Sequence, residues 1–359
     1  MADPIDTPLT RLLGCRYPIV QTAMGWVATP PLVIATSNAG AFGFLAAAVM
    51  TPDEARRAIA EVRAGTDKPF GVNFHSFQPG AAEIVEAILE NAAQIRAVSF
   101  GRGPDAKMIA RFKEAGILCM PTIGAAKHAQ KMVQMGVDMV TVQGGEGGGH
   151  TGSVPTTILL PQVLDAVQVP VIAAGGFGDG RGLAAALAFG AAGIAMGTRF
   201  LMTQESAPPD NVKARYVKAG TDDITVSTKV DGLPQRMIRN QALDRIERSS
   251  GIGLWRRAVE SGLQMKRQTK ASYGDLLKAA KGMTSHGGLS LPQAMMAAAA
   301  PMMIQRAVVD GDADGGLMAT GVVAGRLGDL PTCAELIETI MTDAHQRLAA
   351  LAPLSSGAR

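Results

Sequence analysis

Short apolar segments of β-prone residues recur along the first 200 residues and alternate with longer helical segments. Most of these segments are apolar throughout, which is typical of strands that are covered on both faces. Each strand and the helix after it take about 25 to 30 residues, a length that suits right-handed βαβ crossovers. Eight strands are predicted, at residues 18–24, 42–47, 70–74, 97–100, 118–123, 139–143, 169–174 and 193–200.

The positions of the glycine-rich loops distinguish two folds that share this alternation. A closed barrel of about 250 residues with insertions fits a chain of 359 residues. An open doubly wound sheet is the alternative, but it usually carries its phosphate loop after the first strand. Here the glycine-rich loops follow the sixth and seventh predicted strands. We therefore predict an α/β protein, a (β/α)8 TIM barrel with a C-terminal helical appendage.

The alternation stops after about residue 205, where residues 207–232 combine proline, charge and scattered β-branched residues. The remainder has a largely helical pattern. We predict a barrel domain at residues 1–205 and a helical appendage, packed on the barrel, at residues 206–359. Helices of the appendage are predicted at residues 234–248, 254–265, 273–280, 291–308 and 330–351.

The composition excludes several classes of partner. Hydrophobic residues make up 47% of the chain and the net charge is +3, with no clustered basic stripe that would predict nucleic-acid binding. The most apolar stretch, residues 294–304, has about half the length that spans a bilayer. Cys15, Cys119 and Cys333 form no CxxC pair, so neither a metal site nor a disulfide is predicted. We expect a cytoplasmic protein with no membrane or nucleic-acid partner.

The residues that follow each predicted strand are the candidates for a site, because barrel active sites lie at the C-terminal ends of the strands. Small residues at 23–25 let the backbone approach a flat ligand, and Trp26 can wall a substrate pocket. Asn73 offers a donor and an acceptor to a heterocycle. His75 is either a site residue or a structural histidine. Thr122 places a hydroxyl on the same rim.

The loop after the sixth strand is the most unusual segment of the chain. Residues 143–152 contain six glycines, which are costly to order and therefore require a reason. A loop that lies against a bulky ligand supplies one. His150, near the end of this loop, is the best candidate for a general acid or base. The alternative is a flexible loop with an incidental histidine.

The turns after the seventh and eighth strands have the pattern of a barrel phosphate site. Backbone amides of Gly175 and Gly176, and of Gly197 and Thr198, are expected to point at an anion near a helix N-terminus. Asp179 is predicted to cap the following helix and not to bind phosphate, because like charges repel.

The chain resembles the nitronate monooxygenase family, formerly called 2-nitropropane dioxygenases. The resemblance spans the barrel, roughly residues 8–205, and the helical tail is similar to a branch that includes flavin-dependent quinone reductases. Thr151-Gly152 and Gly25-Trp26 depart from the nitronate-oxidising members. The matching segments are residues 20–25, 37–40, 68–73, 148–152, 174–177 and 196–200.

The resemblance implies an oxidoreductase that binds flavin mononucleotide (FMN) and uses His150 as its active-site histidine. It implies that the flavin phosphate lies on the glycine turns after the seventh and eighth strands. The isoalloxazine ring is expected against residues 23–25 and Asn73. The expected cofactor-binding residues are Ala23, Met24, Gly25, Asn73, Thr122, Gln143, Gly148, Gly149, Ala174, Gly175, Gly176, Gly197 and Thr198.

Three functions remain open on this resemblance, each compatible with a homodimer. The first is a nitronate monooxygenase, which oxidises alkyl nitronates with dioxygen. The second is an NADH- or NADPH-dependent reductase or dehydrogenase for a quinone or an acyl-CoA, such as a steroid-ring degradation intermediate. The third, a non-catalytic flavin-binding protein, is disfavoured by the intact loop around His150. Cations that could serve a CoA substrate are Lys213, Lys218, Lys229, Arg236 and Arg239.

Overall fold

The computed structural model of the protein describes residues 2–101, 106–248 and 291–356, with side chains in all of these except residues 291–299 and 352–356. The helices predicted at residues 254–265 and 273–280 therefore lie outside the described residues.

The chain forms two compact units, of which the first contains most of the residues. It leaves the first unit after Ala207 and returns to it at Leu327. The domain boundary predicted between residues 205 and 206 stays a prediction, because packing alone does not show which parts fold independently. The first unit contains Met1–Gly147, Gly152–Ala207 and Leu327–Arg359, and the second contains Gly148–Thr151 and Pro208–Arg326.

The first unit is built on a sheet in which every pairing is parallel. Its strands coincide with the eight predicted segments, apart from shifts at their ends. The order in the sheet is β5-β4-β3-β2-β1-β10-β9-β7-β6. The strands are β1 (Ile19–Gln21), β2 (Phe42–Ala46), β3 (Phe70–Phe74), β4 (Ile95–Phe100), β5 (Leu118–Cys119), β6 (Thr122–Ile123), β7 (Val140–Gln143), β9 (Val171–Ala174) and β10 (Gly193–Met196), while β8 (Gly149–His150) belongs to the second unit.

The two ends of this sheet are the halves of one broken strand. Met120 and Pro121 separate β5 from β6, and Pro121 has no N–H to donate to a ladder. The pairing still continues across the break, since Met120 N–H donates to Val98 O at 2.9 Å and Thr141 N–H donates to Pro121 O at 2.9 Å. β5 pairs with β4 and β6 pairs with β7. The sheet therefore closes on itself, and the predicted (β/α)8 barrel is confirmed.

The helices begin where the sequence supplies caps. Thr51 and Glu54 form a reciprocal capping box ahead of Pro52. Asp179 accepts from the N–H groups of Arg181 and Gly182, so its predicted capping role is confirmed. The helices are α1 (Pro8–Leu13), α2 (Pro30–Asn38), α3 (Pro52–Gly65), α4 (Ala81–Leu89), α5 (Ala106–Glu114), α6 (Ala126–Gln134), α7 (Thr156–Ala166), α8 (Gly180–Phe189), α9 (Thr198–Leu201), α10 (Asp210–Lys218), α11 (Gln241–Glu247), α12 (Leu291–Val308) and α13 (Cys333–Ser356).

The barrel core joins α1 to residues of the strands. Leu9 and Leu13 of α1 are fully buried in one cluster with Val20, Phe42 and Phe44. The two phenylalanine rings lie edge to face with centroids 5.2 Å apart, a favourable aromatic geometry. Burial of such side chains stabilises the fold by about 1.5–3 kcal/mol each.

The second unit contains a three-stranded antiparallel sheet that the sequence did not predict. Its order is β11 (Ile224–Ser227), β12 (Gln235–Ile238) and β8. The helix predicted at residues 234–248 is therefore wrong in its first part, and only α11 is helical there. Pairing of β12 with the nearby β11 and with the distant β8 outweighs local helix propensity.

The second unit has its own apolar cluster, in which Leu243, Met237 and Leu317 are buried. The helix predicted at residues 291–308 is confirmed as α12. Within the described residues, no helix combines the length and the apolarity that a bilayer crossing requires.

The three cysteines are free. Burial raises the pKa of each thiol, Cys15, Cys119 and Cys333, to about 12. The thiols therefore stay protonated at neutral pH and act as small apolar side chains.

The last described helix, α13, packs against α2 and α8 of the first unit. The contact is closest at Gly180, where a Cβ atom would lie 2.4 Å from both Ala344 N and Ile340 O. These are backbone atoms of α13, so the two helices cannot make room for a side chain without moving apart. Gly180 therefore fixes how closely α8 and α13 approach.

We expect Gly180→Ala to destabilise the protein by about 1–3 kcal/mol, because overpacking separates two helices. Thermal unfolding should show the midpoint lowered by about 2–4 °C for each kcal/mol. Gly328→Ala is the matched control, since a Cβ atom there would meet nothing within 4 Å. Equal midpoints for the two variants would contradict this account of the interface.

Candidate active site

The predicted site residues of the first unit lie at the C-terminal ends of neighbouring strands. β2, β1, β10, β9 and β7 are consecutive in the sheet, so the loops after them share one rim of the barrel. Asn73 lies within β3, next in the sheet to β2, and Thr122 begins β6, next to β7. The structure thus brings eleven of the thirteen predicted cofactor-binding residues to this rim.

The turn after β1 is held in an uncommon backbone conformation. Met24 O accepts from the N–H groups of Val27 and Ala28 at 3.0 and 2.9 Å, which folds residues 24–28 into a tight turn. Trp26 has a φ of 60°, and it is the only non-glycine residue of the described chain in the left-handed region. Such a conformation costs on the order of 1 kcal/mol or more for a bulky residue and is concentrated at functional sites.

The turns after β1 and β10 lie against each other. A Cβ atom on Gly197 would be 3.1 Å from Thr22 Oγ1 and 3.5 Å from Met24 Sδ. Asn73 is fixed further along the rim, because its Nδ2 donates to Ser99 O at 3.0 Å. This bond orients the amide and presents Oδ1 as the group that can accept from a ring N–H.

The loops after β7 and β9 are locked together by close backbone contact. Gly144 N–H donates to Ala174 O at 3.0 Å, and a Cβ atom on Gly175 would be 3.1 Å from Gly144 N. Glu146 accepts from both Thr156 N–H and Thr156 Oγ1, at 2.9 and 2.7 Å, which caps the start of α7. Glu146 is therefore a structural residue of the loop, anchored to the helix after it.

Gly175 and Gly176 form a bend directly after β9 in which two backbone N–H groups follow one another. Their φ angles are +93° and +84°, which side-chain-bearing residues adopt only with strain. Among the described residues, neither N–H group has a hydrogen-bond partner. Successive unpaired N–H groups in left-handed backbone attract phosphate oxygens. The residues at this position therefore fit the phosphate of a mononucleotide.

The predicted catalytic histidine lies in the second unit, as part of β8. His150 pairs with Gln235 of β12, and Gly149 pairs with Arg236. Its Nε2 lies 2.6 Å from Asp231 Oδ2, and Gln235 Nε2 donates to the same oxygen at 2.6 Å. Because a carboxylate only accepts, the neutral imidazole carries its proton on Nε2 and keeps its basic lone pair on Nδ1.

The carboxyl group of Asp231 is held in its charged form. Burial would raise its pKa, but the hydrogen bond and charge of His150, with bonds from Leu233 N–H and Gln235, lower the pKa below its usual range. The Asp231 side chain is 10% exposed and that of His150 is 55% exposed. A buried carboxylate thus orients an accessible imidazole, which is the arrangement that a general base requires.

The sequence predicted His150, Gly148 and Gly149 but missed Asp231 and Gln235. These two residues lie 81 and 85 positions from His150 along the chain, in the segment whose strand was not predicted. His75, the ambiguous histidine, stacks on Phe77. Within the described residues, no group of three or more His, Cys, Asp or Glu side chains could hold a metal ion.

The five cations considered for a CoA substrate have different surroundings. Lys213 is only 4% exposed, so it is not a surface cation. Lys229 pairs with Glu247 and Arg239 pairs with Asp244, at 3.5 and 2.8 Å. Lys218 is exposed and Arg236 is half-buried.

We expect Asp231→Asn to lower the thermal midpoint by about 2–4 °C at pH 7, because it removes a charged hydrogen-bond partner of His150. A lowered pKa means that the carboxylate stabilises the folded state above the unfolded pKa of about 3.9. The difference from wild type should therefore shrink as the pH falls from about 4 through the lower pKa of the folded carboxyl group. Asp314→Asn, at an exposed aspartate, is the control. A difference that stays constant as the pH falls below the lowered pKa of the folded carboxyl group would exclude the charge of Asp231 as its cause.

Comparisons with known proteins agree with this geometry. A family model described as nitronate monooxygenase matches residues 6–97 and 82–343. A (3aS,4S,5R,7aS)-5-hydroxy-7a-methyl-1-oxo-octahydro-1H-indene-4-carboxyl-CoA dehydrogenase of Mycobacterium tuberculosis is 49% identical over 349 residues, covering 96% of this chain and 97% of that protein. A probable nitronate monooxygenase of Staphylococcus saprophyticus is 31% identical over 289 residues, covering 67% of this chain and 81% of the relative.

Solved structures show the same fold. FabK from Thermotoga maritima superposes with a TM-score of 0.79 at 32% identity, covering 98% of this chain and 99% of that one. A nitroalkane oxidase from Streptomyces ansochromogenes superposes with a TM-score of 0.75 at 27% identity, covering 96% and 99%. The chain belongs to the nitronate monooxygenase family of oxidoreductases.

Proposed function

We propose that this protein is an FMN-dependent dehydrogenase that oxidises a ring-bearing CoA thioester. The observation that carries this proposal is the 49% identity, over nearly the whole of both chains, to a dehydrogenase named for a bicyclic carboxyl-CoA. We further propose that the enzyme works in the cytoplasm, with NAD⁺ or NADP⁺ as the final electron acceptor.

The rim of the barrel supports FMN as the cofactor. Gly175 and Gly176, with Gly197 and Thr198, would hold the phosphate through their backbone N–H groups. The residues after β1 and Asn73 would meet the isoalloxazine ring, with Thr122, Gln143 and Ala174 beside it. When bound, FMN supplies a two-electron acceptor. Gly148 and Gly149 would carry the loop that ends in His150.

The histidine of β8 supplies the acid–base chemistry of this proposal. Dehydrogenation removes a hydride and a proton from the substrate, and Nδ1 of His150 would accept the proton. The imidazolium formed in this step lies against the Asp231 carboxylate, 2.6 Å away, which stabilises the positive charge. Gln235 donates to the same oxygen and prevents the carboxylate from rotating away.

Nitronate oxidation is the second candidate. It is favoured by the relatives named nitronate monooxygenase and by the nitroalkane oxidase fold. These similarities are lower, at 31% and 27% identity, than the similarity to the CoA-thioester dehydrogenase. In this alternative, His150 would deprotonate or hold the nitro compound.

Anaerobic stopped-flow absorbance of the flavin band distinguishes the two candidates. We expect rapid bleaching by a hydroxylated bicyclic carboxyl-CoA and none by propyl-2-nitronate, because only the thioester is the proposed reductant. His150→Ala should slow the bleaching by about 10²–10⁴-fold, the usual contribution of a general base. Asp231→Asn should also lower the rate of bleaching and alter the pH dependence of that rate.

His128→Ala is the matched control, because this histidine is exposed on α6 and should leave the rate unchanged. If the nitronate bleaches the flavin and the thioester does not, the second candidate replaces the proposed reaction. Equal rates for His150→Ala and wild type would remove His150 from the chemistry.

Flavin affinity tests the proposed phosphate site. We expect Gly176→Ala to weaken FMN binding at least about tenfold, because alanine at a φ of +84° carries strain on the order of 1–2 kcal/mol and shifts the N–H groups. Fluorescence titration of the apoprotein with FMN measures this change. Gly328→Ala, where a Cβ atom meets open space, should bind FMN as wild type does. Unchanged affinity in Gly176→Ala would contradict the assignment.

A further inference from the structure

An aromatic pair stands exposed beyond the end of β3. Phe77 is 66% exposed, more than any other large hydrophobic residue of the described chain. Its ring stacks on His75 with centroids 5.1 Å apart and an angle of 7° between the planes. One face of the phenyl ring is therefore covered, and the exposed remainder can accept a second planar ring.

The loop that carries this pair is fixed by hydrogen bonds. Gln78 Oε1 accepts from His75 N–H at 2.8 Å, and Gln78 Nε2 donates to Ala47 O at 3.0 Å and to Met50 O at 3.3 Å. One side chain thus ties the β3 loop to the segment after β2. The backbone of the loop is therefore held by hydrogen bonds, which lowers the conformational entropy lost when a ring stacks on the pair.

The pair lies on the same side of the barrel as the predicted flavin residues. Phe77 follows Asn73 by four residues, so their Cα atoms are at most about 14 Å apart. Val49, in the segment that Gln78 holds, would contact a Cβ atom on Gly25 at 3.0 Å. The loop therefore adjoins the β1 turn and can hold a part of the substrate that is remote from the reacting atoms.

We infer that the His75–Phe77 pair is a stacking platform for the adenine ring of an adenine nucleotide. This inference rests on the proposed function, in which both the CoA thioester and the pyridine nucleotide carry adenine. Adenine is the only aromatic ring of CoA, and its extended pantetheine arm separates it from the thioester. Stacking of a base on an aromatic side chain tolerates an exposed site and contributes substantially to binding.

The platform is tested by measuring KM for the acyl-CoA and for the same acyl group on pantetheine, which lacks adenine. The ratio of the pantetheine KM to the CoA KM reports how much the adenine ring contributes to binding. Wild type should prefer the acyl-CoA over the same acyl group on pantetheine, and Phe77→Ala should reduce this preference by about 5- to 100-fold. Phe77→Trp should restore it, because any flat aromatic ring can stack. The parallel comparison of NAD⁺ with nicotinamide mononucleotide, which lacks adenine, as electron acceptors shows whether the ring belongs to the pyridine nucleotide.

Phe189→Ala is the matched control, since Phe189 is 44% exposed at the end of α8 and lies outside the proposed platform. It should keep the wild-type ratio in both comparisons. Ratios in Phe77→Ala that equal those of wild type in both comparisons would overturn the inference. A change confined to the oligomeric state of Phe77→Ala would also overturn it and assign Phe77 to contact with a second copy of the chain.

Direct binding separates this inference from the proposed reaction. Adenosine 3′,5′-bisphosphate and NAD⁺ can each be titrated into the protein loaded with oxidised FMN by calorimetry, because neither of them can reduce the flavin. We expect weaker binding of at least one of these probes to Phe77→Ala than to wild type and to Phe189→Ala. If no thioester is oxidised but this difference is observed, the proposed reaction fails and the platform stands. If neither probe distinguishes the variants, the platform fails whatever the reaction.

Discussion

Closure of the parallel sheet at the broken fifth strand is the constraint on which the first unit depends. β5 and β6 are too short to be strands on their own, yet each pairs with a different neighbour and together they join the two ends of the sheet. The break at Pro121 removes one N–H donor from the ladder, and the bonds on either side compensate for it. Closure brings all the C-terminal strand ends to one rim, so residues scattered from Ala23 to Thr198 can serve one ligand.

The rim of the barrel combines closely packed glycine loops after β7 and β9 with a strained turn after β1. Backbone contacts hold the β7 and β9 loops together, and Gly175 and Gly176 take positive φ angles there. The strain at Trp26 is held by the turn around Met24. The second unit contains different groups: the imidazole of His150 on β8, the amide of Gln235 on β12, and the buried carboxylate of Asp231 shortly before β12. Backbone groups thus suit a cofactor, whereas ionisable side chains suit proton transfer.

The fold was largely predictable because each barrel strand is a buried apolar segment with its own helix. The rim residues followed from that assignment, since strand ends of a barrel share one face. The second unit was not predictable in the same way. The local sequence of β12 predicts a helix. It is a strand because Ile224–Ser227 and Gly149–His150 pair with it. Asp231 was missed for the same reason, as no local pattern links it to a histidine 81 residues earlier.

The return of the chain to the first unit at Leu327 has a consequence for synthesis on the ribosome. α2 and α8 bury part of their surface against α13, which follows α8 by more than 140 residues. At a translation rate of about 5–20 residues per second, α13 is synthesised on the order of 10 s after α8. During that interval the surface of α8 around Gly180 that α13 covers in the folded protein stays exposed to solvent. Completion of the barrel is thereby tied to translation of the last helix.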